Sequence, residues 1–158
     1  MNAPAECVFA RNCKVRRLDK KRAADFLNEN HFLGSCSARF HYGLFINRKT
    51  GTSETSLPKD TLVAVGSFSN GRRFKDGHLS YEWIRYASLK SLRVVGGMSK
   101  ILNRFIEEMH PGDIMTYVDA SHSDGSAYKL LGFEQECRVE KNGFINLKLK
   151  RYFPQQDE

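Results

Sequence analysis

No apolar run in this 158-residue chain approaches the roughly 18–20 residues that a membrane-crossing helix needs, which excludes an integral membrane protein of that kind. The opening, Met1 to Ala10, lacks a basic stretch followed by an apolar core, so no secretory signal is expected. Cysteine is sparse. Cys7, Cys13, Cys36 and Cys137 form no C-x-x-C pair, and none has a histidine at finger-like spacing. That argues against a structural zinc site, and at this length no disulfide scaffold is needed. The four read as reduced thiols of an intracellular protein, cytoplasmic or nuclear; a nuclear-entry run through Arg16 to Arg22 is interrupted. Internal repeats and low-complexity tracts are absent. So are the G-x-x-x-x-G-K-[ST] loop and the G-x-G-x-x-G dinucleotide fingerprint.

What is present points to one soluble domain spanning 1–158, with its core between residues 8 and 153. Hydrophobic residues make up 41% and charged residues 27%, values that argue against wholesale disorder. The net charge of +7 is unevenly placed. Residues 1–79 carry 14 basic and 7 acidic side chains, whereas residues 80–158 carry 11 of each. Two readings stay open: a solvated surface, or a footprint for an anionic partner such as nucleic acid, an acidic peptide or a phosphate-bearing cofactor.

Val8 to Leu18 reads as a first strand. Asp19 to Asn30 reads as a short helix capped by Asp19, with Ala23, Phe26 and Leu27 on its apolar side. Arg39–Asn47 and Thr61–Ser69 read as a hairpin joined by the exposed loop Thr50–Asp60. Leu79–Ala87 is strand-like. Met98, Ile101, Leu102, Phe105, Ile106 and Met109 then form a helical stripe from Met98 to His110, which Pro111 and Gly112 stop. Asp113–Asp119 reads as a strand. A last short helix, Ser126–Leu131, is capped by Ser123 or Asp124 and ended by Gly132. Arg138–Glu140 and Phe144–Tyr152 close the chain as strands. The order predicts a mixed α/β (α+β) domain.

Two segments carry chemistry. Arg93-Val94-Val95-Gly96-Gly97-Met98-Ser99-Lys100 sits between a strand and the amphipathic helix. The glycines allow a tight turn, and the first helical amides are unsatisfied at the positive end of the dipole, which suits a diphosphate. The alternative is a glycine turn that only lets the helix pack. The second segment runs from Asp119, at a strand end where α/β sites gather, to Tyr128 in the first turn of a short helix. A phenol placed there can protonate a leaving thiolate, or it can be a half-buried core tyrosine.

The sequence YEWIRYA, RVVGGMSK, IMTYVDA and SAYKLLGF, from Leu79 to Phe133, resembles the core of the GCN5-related N-acetyltransferase (GNAT) superfamily. Its [Q/R]-x-x-G-x-[G/A] loop matches Arg93, Gly96 and Gly97, with Met98 where Gly or Ala is usual; its late Tyr before Gly-Phe matches Tyr128, Gly132 and Phe133. The resemblance implies a single-domain mixed sheet with a splayed parallel strand pair and flanking helices, acetyl-CoA or another acyl-CoA held at residues 93–100, and direct attack by an amine. It implies Tyr128 as acid and Glu82, in an aromatic strand, as the favoured base; Glu82 could instead pair with Arg85. A narrower likeness is to a GNAT-like family of phages near the Mom-type DNA adenine-modification proteins, carried by Glu82, Arg85, Val94–Lys100, Tyr117, Asp119, Ser123, Gly125, Tyr128 and His31. It implies His31, Asp119 and Tyr128 as a catalytic set and a nucleic-acid base as substrate, with Phe32, Phe40, Tyr42 and Trp83 as stacking candidates. A catalytically silent binding module is the third reading. His41 and His122 are further candidate bases.

Overall fold

The stripe on the long helix fixes the layering. In a computed structural model, which describes residues 6–47 and 57–154, that helix is α2, Gly97–Met109, and it buries Ile101, Leu102 and Phe105 against one face of a sheet. The ring of Phe105 stacks on Phe68 at 3.9 Å and meets Tyr42 and Tyr81 edge-on. The opposite face is covered by α1, Lys20–Asn30. Its Ala23, Phe26 and Leu27 pack on Phe45, Leu62, Val65 and Ala87. Asp19 caps α1 by accepting from the Arg22 amide at 2.8 Å.

Between the helices lies a sheet of strands β2 (Cys13–Arg17), β3 (Phe40–Ile46), β4 (Leu62–Phe68), β6 (Leu79–Ser88), β8 (Asp113–Asp119), β10 (Phe144–Tyr152) and β9 (Glu134–Lys141), in that spatial order. The two-residue β5, Arg72–Arg73, pairs with β6. Every residue of β4 is buried, because helices cover both of its faces. All pairings along this path are antiparallel except β6 with β8. The short helix α3, Ser126–Leu130, follows β8. This is the mixed α/β architecture expected from the sequence.

Four local expectations need correcting. Val8–Leu18 is not one strand. β1 (Glu6–Phe9) and β2 are separated by a 3-10 turn, Ala10–Asn12; the carbonyls of Ala10, its first residue, and of Cys13, just past it, accept from Lys100 Nζ at 2.8 and 2.5 Å. Arg93, Val94 and Val95 are not loop residues. They lie in strand β7, Leu92–Val95, which pairs parallel with β1 in a separate two-stranded sheet. Strand β9 starts at Glu134, four residues before the expected Arg138; its first half is polar because it is an edge strand. The N-cap position of α3 is Gly125, with φ at 79°. Ser123 and Asp124 instead accept from the Gly125 and Ser126 amides in the entering turn. The loop expected at Thr50–Asp60 lies mostly outside the described residues; its end closes the hairpin through the Asp60 amide on the Ile46 carbonyl, at 2.7 Å.

Candidate functional site

Strands β6 and β8 run side by side for three residues only: Ser80, Tyr81 and Glu82 opposite Asp113, Ile114 and Met115. Thr116 Oγ1 then donates to the Trp83 carbonyl at 2.8 Å, and beyond it the strands part. The cause lies on the other side of β6. Ser67 of β4 faces Arg85 but Phe68 faces Trp83, so Ile84 is an extra, bulged residue. A bulge bends its strand and strengthens its twist. The Trp83 indole bridges the bulge by donating to the Arg85 carbonyl at 3.1 Å.

The gap so made holds a cavity of about 170 Å³. Its walls are Ile84, Arg85 and Tyr86 of β6, Tyr117, Val118 and Asp119 of β8, and Tyr128 of α3. The segment after α1 closes one side with His31, Phe32 and Leu33, and the loop after β8 adds His122 and Ser123. The rings of His31, Phe32 and His122 form a row, with centroids 5.0 and 4.5 Å apart.

The predicted residues therefore divide by place. Tyr128, Asp119 and His31 line one cavity, although His31 and Tyr128 are 97 positions apart in the chain. Burial pushes the Tyr128 phenol above its ordinary pKa, and the Thr116 hydroxyl and the Arg85 charge oppose that rise. Asp119 is held below the usual carboxylate range by the Ser121 hydroxyl and amide, which donate to Oδ1 at 2.7 and 2.9 Å. Burial and then Arg85 lower His31. Its Nδ1 accepts from the Leu33 amide at 3.0 Å, so the neutral ring carries its proton on Nε2 and offers a donor.

Glu82 does not line the cavity. It is the last paired residue of β6, at the apex of the gap, and burial raises its carboxyl while Arg85 works against that rise. Arg85 forms no ion pair with it; the guanidinium donates to the Gly34 and Ile84 carbonyls, each at 3.1 Å. Of the stacking candidates, Phe32 alone lines the cavity, since Tyr42 and Trp83 are buried in the core and Phe40 packs against it. His41 is buried too, its Nδ1 2.7 Å from Ser67 Oγ.

The glycine segment sits at the start of α2. Gly96 is the N-cap residue, left-handed at φ 80°, and has no side chain to cap the amides of Gly97, Met98 and Ser99. A Cβ on Gly97 would strike Tyr86 Oη and approach Val94 Cγ1 to 2.8 Å. Glycine at 97 thus lets the tyrosine that walls the cavity reach the helix start. Met98 packs on the core and does not line the cavity. Gly96 and Ser99 also border an open concavity of about 400 Å³ whose rim includes Arg11 and Lys100, the latter using two of its protons on the 3-10 turn. Arg93 is exposed on β7. Sequence reasoning did not single out Tyr86. Strand alternation would have pointed to it only once the bulge at Ile84 was known.

Solved structures that superpose on this chain include N-acetyltransferases. Naa50 of Arabidopsis thaliana, in complex with a bisubstrate analogue, CoA-Ac-MVNAL, superposes with a TM-score of 0.65 at 13% identity, over 90% of this chain and 99% of that one. A Bacillus subtilis acetyltransferase in complex with CoA gives 0.61 at 13%, over 90% and 99%. The yncA protein of Salmonella typhimurium, with its cofactor acetyl-CoA, gives 0.59 at 14%, over 93% and 97%. No family profile and no curated protein matches the chain. Likeness at this identity shows the fold alone: a main mixed sheet with a splayed parallel pair, as in the GNAT acetyltransferases.

Proposed function

We propose that this chain, built on the GNAT acetyltransferase fold, is an acyl-CoA-dependent N-acyltransferase that passes an acetyl group to an amine by direct attack. One observation carries the reading. The cavity opens where β6 and β8 part, Tyr128 lines it, and Tyr86 links its wall to the uncapped start of α2. The residues present fit a coenzyme. Amides of Gly97, Met98 and Ser99 would hold the diphosphate at the positive end of the α2 dipole. Bound coenzyme would supply the acyl thioester.

The roles follow from the environments. Glu82, at the apex of the gap and behind the cavity wall, would take the proton that an acceptor ammonium must shed through one bridging water, and burial makes its carboxyl more basic. Asp119 is the poorer base, because its hydrogen bonds favour the ionised form. Tyr128 stays protonated at neutral pH and gives its proton to the departing thiolate.

Titration with acetyl-CoA tests this. At a hundredfold excess over Kd, stabilisation is about 2.7 kcal/mol, a rise in Tm of several degrees. No heat of binding and no shift at millimolar ligand overturn the proposal. A second reading, base modification of nucleic acid in the Mom manner, is favoured by His31, Asp119, Tyr128 and Phe32 sharing one cavity. Mass spectrometry of an oligonucleotide incubated with protein and acetyl-CoA separates the two: an added mass on a base supports the second, an unmodified strand beside an acetylated small amine the first.

A further inference from the structure

The cavity contains one cation without a carboxylate on it. Arg85 lines the wall between Ile84 and Tyr86, and two of its five N–H donors go to the Gly34 and Ile84 carbonyls. No ion pair to it is formed among the described residues. Its charge is felt at His31, Glu82 and Tyr128, so it is the positive centre of the site. A guanidinium in a cleft with donors to spare is built to take a planar anion through paired hydrogen bonds. Asp119 of β8 lines the same cavity, and a carboxylate there suits an ammonium group. With both signs in about 170 Å³, a singly charged carboxylate beside an amine fits better than a dianionic phosphate, which Asp119 and Glu82 would repel.

The rim adds the third recognition element. Phe32 is 63% exposed, Leu33 56% and Tyr117 43%, and all three border the same opening. Large apolar side chains left in water around a polar cleft mark a place where an apolar group docks.

We infer that the acceptor is amino-acid-like: a small molecule whose amine is accompanied by a carboxylate, bound by Arg85, and by an apolar or aromatic body that rests on Phe32, Leu33 and Tyr117. This rests on the acyltransferase reading for its reaction but not for its binding. The group transferred is acyl. The amine nitrogen gains the carbonyl carbon, the carbon–sulfur bond breaks, and the amine proton and the thiolate are balanced by Glu82 and Tyr128.

The test uses three matched pairs: L-phenylalanine with 2-phenylethylamine, L-tryptophan with tryptamine, and L-leucine with 3-methylbutylamine. Binding to the full chain is measured by calorimetry without coenzyme, and thiol release is measured with acetyl-CoA. In at least one pair the carboxylate-bearing member binds about tenfold or more tightly. Arg85→Gln abolishes that preference. Phe32→Ala, at an exposed position, weakens both members and leaves the preference intact. Equal binding within all three pairs, or a preference that survives in Arg85→Gln, overturns the inference. The two proposals fail separately. A carboxylate preference without thiol release sinks the acyltransferase reading and keeps the acceptor class; thiol release that ignores the carboxylate does the reverse.

Discussion

Tyr128 and Gly97 show how much can hang on one atom. If the phenol of Tyr128 is the acid, Tyr128→Phe removes the proton and leaves the ring that packs edge-on against Trp83 at 5.2 Å. The expected outcome is a fall in kcat of about a hundredfold or more, with the Kd for acetyl-CoA unchanged, read from stopped thiol-release assays beside calorimetry. A loss of binding in step with turnover would place the hydroxyl in a structural role. Gly97 is a packing case. A methyl group there meets Tyr86 Oη and Val94, so Gly97→Ala is expected to destabilise the fold by about 1–3 kcal/mol in urea denaturation. In a Tyr86→Phe background the oxygen is gone, and part of that loss is recovered. A strictly additive double-mutant cycle would show that the two residues do not touch.

Single residues also decide how elements dock. β6 and β8 must start together before they can part, and His78 secures that start. Its Nε2 lies 2.9 Å from Asp113 Oδ2, its Nδ1 meets Asp76, and Ser80 Oγ donates to the other Asp113 oxygen at 2.6 Å. The Asp76 hydrogen bond above all, then Asp113, raises the His78 pKa above 6.5 against the opposing effect of desolvation. A pKa raised on folding gives stability that is full below the unfolded value and is lost as pH climbs through the folded value. Tm is therefore expected to fall as pH rises from 6.5, and the fall should be shallower in His78→Gln; parallel Tm–pH curves for the two proteins would remove His78 from the account. On the other side of the sheet, α2 is held by Phe105 among Phe68, Tyr42 and Tyr81. Phe105→Ala is expected to cost about 3–5 kcal/mol by chemical denaturation. A cost below 1 kcal/mol would mean that the helix docks by other contacts.

At the scale of the molecule, what the sequence revealed was what local period encodes. The α2 stripe, the Asp19 cap and the alternation of β10 are set by neighbours within a few residues. The break between β1 and β2 is held by the ammonium of Lys100, some ninety residues later. Strand β7 exists because β1 lies beside it, and the cavity because a bulge at Ile84 turns β6 away from β8. None of these has a local signature, so Arg93–Val95 read as a turn, and Arg85 read as an ion-pair residue when it holds two carbonyls. The uneven charge was legible, and the fold gives it a place. Lys14 and Arg16 share the single carboxylate of Asp60 on the edge strand β2, and Arg16 and Arg22 both stand over the Phe45 ring. Beside them the first turn of α1 carries Lys20, Lys21 and Arg22 and no acid, against the preference of a helix N-terminus. The basic side chains of β10 are spent differently. Lys148 and Lys150 are 21% and 12% exposed against 35% and 50% for Lys14 and Arg16, and both face Glu136. A polyanion should therefore meet the β2–α1 end first. On heparin, Lys14→Gln with Arg16→Gln and Arg22→Gln is expected to elute at clearly lower salt than the native chain, and Lys148→Gln with Lys150→Gln at nearly unchanged salt, since the release of condensed ions follows the cations that reach the polymer. Equal shifts per charge removed would show that net charge alone governs the contact and that this end of the molecule has no special part in it.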